Sequence, residues 1–212
     1  MDIEEGLRER KRRETRELIA GTAMRLFMQR GFDAVSVTEI AAAAGVAEKT
    51  VYNYFPVKAE MFFDEAGNVL AELLAAVRYR AAGQSAVDAV RTFIAGRGEW
   101  AAGRRPEQPT GRFRQLIADS TALQAQQRLM FASFEAALAD TLADETGVQR
   151  GAVEPFVAAV ALVGVIRAAF EVSPSGPEPD RDMAVAALRL LAVGLSGYAV
   201  RPCPPAAFHA SC

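Results

Sequence analysis

Apolar side chains recur at three- and four-residue spacing along most of the 212-residue chain. In the first such segment, over 8–29, the repeat is carried by Leu18, Ile19, Ala23, Leu26 and Phe27. This spacing places the side chains on one face of a helix, which predicts an amphipathic α-helix at the start of the chain. The helix is predicted to end at Arg30-Gly31, because glycine commonly provides the C-cap.

Two shorter helices are predicted next. Thr38 is interpreted as the N-cap of a helix of barely two turns that stops at Gly45, where a positive φ is expected in the turn. Another helix is predicted over 48–54, closed by Phe55-Pro56, since the residue before proline is pushed out of the α region. Helices this short are unstable alone and must pack on the first helix. The three segments together predict a helix-turn-helix.

The rest of the chain continues the helical pattern. Helices are predicted over 58–82, 85–102, 110–118, 121–144, 152–171 and 180–199. Loops rich in glycine, proline and charge are predicted over 103–109 and 173–179. The predicted fold is all-α, with a helix-turn-helix domain over 1–58, a larger helical ligand-binding and dimerisation domain over 59–200, and a disordered tail over 201–212.

Composition narrows the class of protein. The chain is 51% hydrophobic and 24% charged, and no apolar run reaches the roughly 18–20 residues that cross a bilayer. The first residues resemble no secretion signal, so a cytoplasmic location is predicted. The net charge is −2, but six basic and two acidic residues lie between Arg8 and Arg16. This segment can approach phosphate, although a solvated helix face is the alternative interpretation.

The segment GVAEKTVYNYFPVK places polar and aromatic residues together on the third helix. A short helix presented by a tight turn fits a major groove, and Lys49, Thr50 and Asn53 are predicted to face base edges. Tyr52 and Tyr54 are predicted to carry hydroxyls to flanking phosphates, with core packing of one of the two as the alternative. Phe55 is predicted to lie in the core.

The run RRETRELIAGTAMRLFMQRGFDAVSVTEIAAAAGVAEKTVYNYFPVKAEMF, from about residue 10 to 63, resembles the DNA-binding domain of the TetR/AcrR family of bacterial transcriptional repressors. The resemblance implies that the start of the first helix and Thr38 contact the DNA backbone. It also implies that the third helix reads bases and that Lys58 contacts a phosphate. The chain departs from the family pattern at Ala47, in place of a serine or threonine cap, and at Glu48-Lys49, so an uncommon base preference is expected. The predicted DNA-binding residues are Arg13, Arg16, Thr38, Glu48, Lys49, Thr50, Tyr52, Asn53, Tyr54 and Lys58.

The helices at about 152–171 and 180–199 are apolar around most of their circumference, which requires burial of more than one face. In the resembled family these helices pair with their copies in a homodimer, and two central helices of a monomer are the alternative. Aromatic residues on the C-terminal helices are predicted to surround a common interior. The resemblance implies a ligand cavity there, whereas solid core is the other interpretation. The predicted ligand-binding residues are Phe93, Arg97, Trp100, Phe113, Ile117, Phe131, Phe134, Arg167 and Phe170.

An enzyme is not predicted. The only histidine lies in the tail, and the chain has no glycine-rich phosphate loop, no metal-spaced cluster and no cofactor motif. The predicted function is a homodimeric transcriptional repressor that binds a palindromic duplex DNA operator and is released by a small lipophilic or amphipathic ligand. The alternative is a helix-turn-helix protein whose C-terminal domain only dimerises.

Overall fold

The computed structural model describes residues 2–104, 110–172 and 177–194, without the side chains of 2–5, 97–104, 110, 169–172 and 177–184. The described residues form ten α-helices and no β-strand, which confirms the all-α prediction. The helices are α1 (Asp2–Arg30), α2 (Val37–Ala44), α3 (Glu48–Tyr54), α4 (Lys58–Phe62), α5 (Ala66–Arg78), α6 (Ala86–Arg104), α7 (Thr110–Asp119), α8 (Thr121–Thr146), α9 (Val153–Val172) and α10 (Pro177–Val193). The tail predicted over 201–212 lies outside the described residues.

Helix α1 follows its sequence pattern. Ile19, Ala23 and Phe27 are fully buried one turn apart, and Ala20 and Met24 are almost as deep beside them. The helix begins at Asp2 rather than near residue 8, and it ends as predicted before Gly31, whose φ of 92° is a left-handed conformation. This face of α1 anchors α2 and α4.

The N-cap of α2 is Ser36, so the prediction of Thr38 is wrong. The Ser36 hydroxyl accepts a hydrogen bond from the Glu39 N–H at 3.2 Å, while a carboxylate oxygen of Glu39 accepts one from the Ser36 N–H at 2.8 Å. This reciprocal pair satisfies two N–H groups that the helix start would otherwise leave without partners. Thr38 consequently lies inside the first turn of α2.

The helix predicted over 58–82 is interrupted. Helix α4 ends at Phe62 and α5 begins at Ala66, with the Ala66 N–H donating to the Phe63 carbonyl at 2.9 Å across the turn. Tertiary contacts fix this turn: Phe63 meets Phe113 edge-on, with ring centroids 6.4 Å apart, and Arg16 holds Asp64. A single rigid helix therefore does not join the two halves of the chain.

The described residues form two hydrophobic cores. The first contains the buried faces of α1 to α4 and extends past residue 58 to Met61 and Phe62 of α4, and to Leu116 and Ile117 of α7. The second joins α5, α6, α8, α9 and α10, and α8 packs along α9. Helix α8 contributes to both cores, with Leu123 in the first and residues from Phe131 onward in the second. The domain division at residue 58 stays a prediction.

Candidate DNA-binding surface and ligand site

The turn between α2 and α3 presents the recognition helix. Gly45 has φ 67° and ψ 31°, and the Val46 N–H donates to the Ala41 carbonyl at 3.0 Å. A residue other than glycine is strained in this left-handed backbone conformation. Val51 and Phe55 are fully buried, so they fix α3 against the first core.

The outer face of α3 carries the residues predicted to read bases. Lys49 and Asn53 are exposed and Thr50 is half-buried. Tyr52 is 46% exposed, whereas Tyr54 packs partly against the first core. The two tyrosines therefore differ in burial. Core packing of one of them was the alternative interpretation, and Tyr54 is the one that packs inward.

Glu48 and Thr38 contact each other across the helix-turn-helix. The Thr38 hydroxyl donates to a carboxylate oxygen of Glu48 at 2.8 Å, and both residues are exposed. The carboxylate lies at the N-terminus of α3, where the helix dipole stabilises negative charge. The pair holds a carboxylate at the edge of the predicted reading face.

Lys58 is held by the protein. Its ammonium donates to the carbonyls of Phe32 and Val35, at 3.0 Å each, and lies 4.2 Å from the centroid of the Phe32 ring. Burial lowers the pKa of Lys58, and the coulombic attraction of Asp33 opposes that shift. The side chain therefore ties the start of α4 to the segment that follows α1.

Arg16 joins three parts of the chain. Its Nε donates to Asp64 Oδ1 at 2.7 Å, its Nη1 donates to the carbonyl of Tyr54 at 3.1 Å, and its guanidinium lies 4.2 Å from the centroid of the Phe55 ring. The Asp64 side chain is only 17% exposed, and burial raises its pKa despite the opposing attraction of Arg16. Arg13, one turn before Arg16, is exposed and forms a 3.7 Å ion pair with Glu17.

The predicted ligand-binding residues do not share one interior. Phe93, Phe131 and Phe134 belong to the second core, with Phe131 and Phe134 4% and 3% exposed. Phe113 and Ile117 pack on the first core instead, where the ring of Phe113 stacks on that of Phe62 with centroids 4.2 Å apart. The prediction of a common interior is therefore wrong for these two residues, because α7 packs against α1.

The remaining predicted ligand contacts lie elsewhere. Arg167 is exposed on α9. Arg97, Trp100 and Phe170 lie on α6 and α9, outside the residues whose side chains the structure describes.

Two of the cavities in the structure each include one of the predicted ligand-binding residues whose side chains are described. The larger, of about 590 Å³, is a cleft between the helix-turn-helix and the C-terminal helices, and it reaches Phe134. The smaller, of about 360 Å³, lies between α7 and α8 and includes Ile117. The larger volume is within the range of small-molecule sites.

Sequence reasoning missed Ser36, Glu39 and Asp64. The spacing of Ser36 and Glu39 before an apolar run is the signature of a capping box and was available in the sequence. Nothing near Asp64 in the sequence indicated that Arg16, 48 residues earlier, would pair with it.

The fold and the exposed α3 define a helix-turn-helix DNA-binding protein with a helical C-terminal domain. The family model for bacterial regulatory proteins of the tetR family matches residues 19–64, and the model described as the MftR C-terminal domain matches residues 84–196. The chain belongs to the TetR family of transcriptional regulators.

Two relatives show the similarity in sequence. The first, described as the mycofactocin biosynthesis transcriptional regulator MftR of Mycobacterium tuberculosis, is 28% identical over 172 residues, which cover 76% of this chain and 81% of the relative. The second, the regulator TcmR of Streptomyces glaucescens, is 33% identical over 85 residues, covering 40% of this chain and 38% of TcmR. Regulators of this kind are a non-enzymatic class, which confirms that prediction.

Solved structures share the fold. A SmeT–triclosan complex matches with a TM-score of 0.56 at 21% identity, covering 90% of this chain and 99% of SmeT. Native NalD of Pseudomonas aeruginosa, the secondary repressor of an efflux pump, has a TM-score of 0.55 at 20% identity, covering 84% and 96% of the two chains. No helix in the described part of the chain is long and apolar enough to cross a membrane.

Proposed function

We propose that this chain is a homodimeric transcriptional repressor that binds a palindromic operator through α3 and is released by a small lipophilic or amphipathic ligand. The observation that carries the proposal is the presentation of α3. Val51 on its inner face and Phe55 directly after its last residue are fully buried, while Lys49 and Asn53 on its outer face are exposed. A short helix held in this way is the size and shape that enters a major groove.

The contacts divide the predicted DNA-binding residues into two groups. Lys49, Thr50 and Asn53, with Glu48 at the helix start, are proposed to read base edges. Exposed Arg13 and Tyr52 are proposed to contact phosphates.

The other group supports the reading helix from within the protein. Arg16, Thr38, Tyr54 and Lys58 make the contacts described above to neighbouring elements. Their proposed contribution to DNA binding is to hold α3 and α4 in place, with phosphate contact as a second role.

Dimerisation through α9 and α10 is supported by apolar surface that the single chain leaves uncovered. On α9, Val153 is 70% exposed, Phe156 50% and Val157 58%, and on α10 Val193 is 86% exposed. The same face of α9 continues from Val157 through the half-buried Val160 and Ala161 to Gly164. A twofold pairing of these faces covers them and carries two copies of α3 to successive major grooves.

Ligand control is supported by the cleft of about 590 Å³ and by the structural neighbours, one a triclosan complex and another a repressor of a multidrug efflux pump. A C-terminal domain that only dimerises is the second candidate, and the tight burial of Phe131 and Phe134 favours it for the interior of that domain. The cleft offers the ligand a place outside that interior.

Selection of bound DNA from genomic fragments tests the proposal. We expect a palindromic site, bound by a dimer, with affinity that falls steeply as salt increases because phosphates are neutralised. Replacing Lys49, Thr50 or Asn53 by alanine is expected to cost about 1–3 kcal/mol on the selected site and much less on a scrambled duplex. Equal losses on both duplexes show that another face reads the bases.

A further inference from the structure

The cleft of about 590 Å³ is lined by residues of the helix-turn-helix and of the C-terminal helices. Arg13, Arg16 and Glu17 of α1 and Tyr54 at the end of α3 form one side. Residues of the α4–α5 turn, the start of α5 and α8 complete the lining. A molecule seated here contacts the recognition helix and the C-terminal domain at the same time.

The α8 side of the cleft combines apolar side chains with the polar Gln126 and Ser133, and part of its apolar surface is uncovered. Phe134 is buried in the second core, and Met130 packs partly against that core. Leu129 is 65% exposed, although it lines the same cleft. Leu129 and Met130, with Phe63 and Leu70, give an apolar surface that a ligand can remove from water.

The charge in the cleft is negative. Among the described residues that line it, four are carboxylates and two, Arg13 and Arg16, are guanidiniums. Those two are already paired, with Glu17 and Asp64. Glu65 accepts a hydrogen bond from Asn68 at 3.0 Å, and neither Glu60 nor Glu65 forms a salt bridge with any described residue.

We propose that this cleft is an effector site for a small amphipathic organic cation, whose charge is held by Glu60, Asp64 and Glu65 while its apolar part lies against Leu129 and Met130. The inference rests on the proposed function, since it gives the released repressor its ligand class and site.

The effect on DNA follows from the position of Arg16. The same guanidinium binds Asp64 at the cleft and the Tyr54 carbonyl at the last residue of α3. A ligand cation competes with Arg16 for Asp64, and this loosens the connection between the recognition helix and the α4–α5 turn. The ligand then favours conformations in which the two α3 helices of the dimer no longer fit the operator.

Tetraphenylphosphonium is a suitable probe, and tetraphenylborate is its control because the two ions share size and shape and differ in the sign of charge. By calorimetry on the full chain we expect one tetraphenylphosphonium per chain and at least about tenfold weaker binding of tetraphenylborate. At saturation the phosphonium is expected to lower operator affinity by about 5- to 150-fold, the usual range of coupling between sites.

Two variants locate the site. Leu129→Arg adds a positive charge to the cleft at an exposed position and is expected to weaken phosphonium binding at least about tenfold. Tyr79→Arg is the matched control, because Tyr79 is 84% exposed at the opposite end of α5 from the cleft. Asp64→Asn is expected to weaken the probe and also to lower operator affinity without any ligand.

Operator binding by the ligand-free protein is measured first and tests the proposed function independently. Equal affinity for the two probe ions, preference for the borate, or unchanged phosphonium binding by the Leu129→Arg variant overturns the inference while repression stands. Phosphonium binding that leaves operator affinity unchanged overturns the effector role. If the ligand-free protein binds no operator, the proposed function fails, and calorimetry still decides whether the cleft binds cations.

Discussion

The hydroxyl of Thr38 donates a 2.8 Å hydrogen bond to the carboxylate of Glu48, which joins the first turn of α2 to the first turn of α3. The contact places a negative charge at the end of the proposed reading helix. A carboxylate there repels phosphate and accepts from the amino group of cytosine, so it favours some sequences over others.

Glu48→Gln is therefore expected to loosen base preference. The amide keeps an acceptor for Thr38 and removes the charge, so affinity for a scrambled duplex is expected to increase several-fold and the ratio of operator to scrambled affinity to fall. Titrations of both duplexes at several salt concentrations measure this. An unchanged ratio contradicts a reading role for Glu48.

Lys58 is expected to contribute to the stability of the fold, whereas Lys49 is expected to contribute to operator binding. Lys58→Met removes the ammonium that the Phe32 and Val35 carbonyls accept from, and we expect a loss of about 1 kcal/mol in the free energy of unfolding, because the site is half-buried. Lys49→Met is the matched control on the exposed face of α3, expected to leave Tm unchanged and to weaken operator binding. Thermal unfolding and operator titration of both variants measure the two effects. An unchanged Tm for Lys58→Met contradicts a structural role for Lys58.

Glu39 is expected to contribute to acid sensitivity. Hydrogen bonds from the Ser36 backbone and from Arg30 lower the pKa of Glu39 from 4.5 to about 2. Because the folded-state pKa is the lower one, its contribution to stability is complete above pH 4.5 and is lost as the pH falls toward 2. Glu39→Gln is expected to be less stable than the original chain at pH 7, with the difference shrinking from pH 4.5 to 2 in thermal unfolding. A difference that stays constant over that interval contradicts this assignment.

Val157 is expected to lie in the dimer interface. An aspartate there places a charge on the uncovered apolar face of α9, which costs several kcal/mol if the face is buried against a second copy. Val157→Asp is therefore expected to sediment as a monomer and to bind the palindromic operator much more weakly. Tyr79→Asp, at a more exposed position on α5's far end, is the control and is expected to remain dimeric. If the Val157→Asp variant remains dimeric, the dimer interface lies on another surface.

The sequence by itself determined the all-α class, the helix-turn-helix and the family. Helical spacing in α1, glycine at the turn before α3 and proline after Phe55 are local signals, since each acts on backbone conformation within a few residues. They predicted α3 with its observed bounds, Glu48–Tyr54, and the exposure of Lys49 and Asn53 follows from the same short period. The cap of α2 was misassigned although Ser36 and Glu39 carried a readable local signature.

Only the tertiary structure decided how distant segments meet. The break between α4 and α5 depends on Phe113 and Arg16, which lie far from residue 63 in the chain, so helical periodicity over 58–82 could not indicate it. In the same way, aromatic residues on C-terminal helices do not reveal which core they join, and Phe113 packs against Phe62 rather than beside Phe131. Packing between helices depends on their relative placement, which a one-dimensional pattern of apolar residues does not specify.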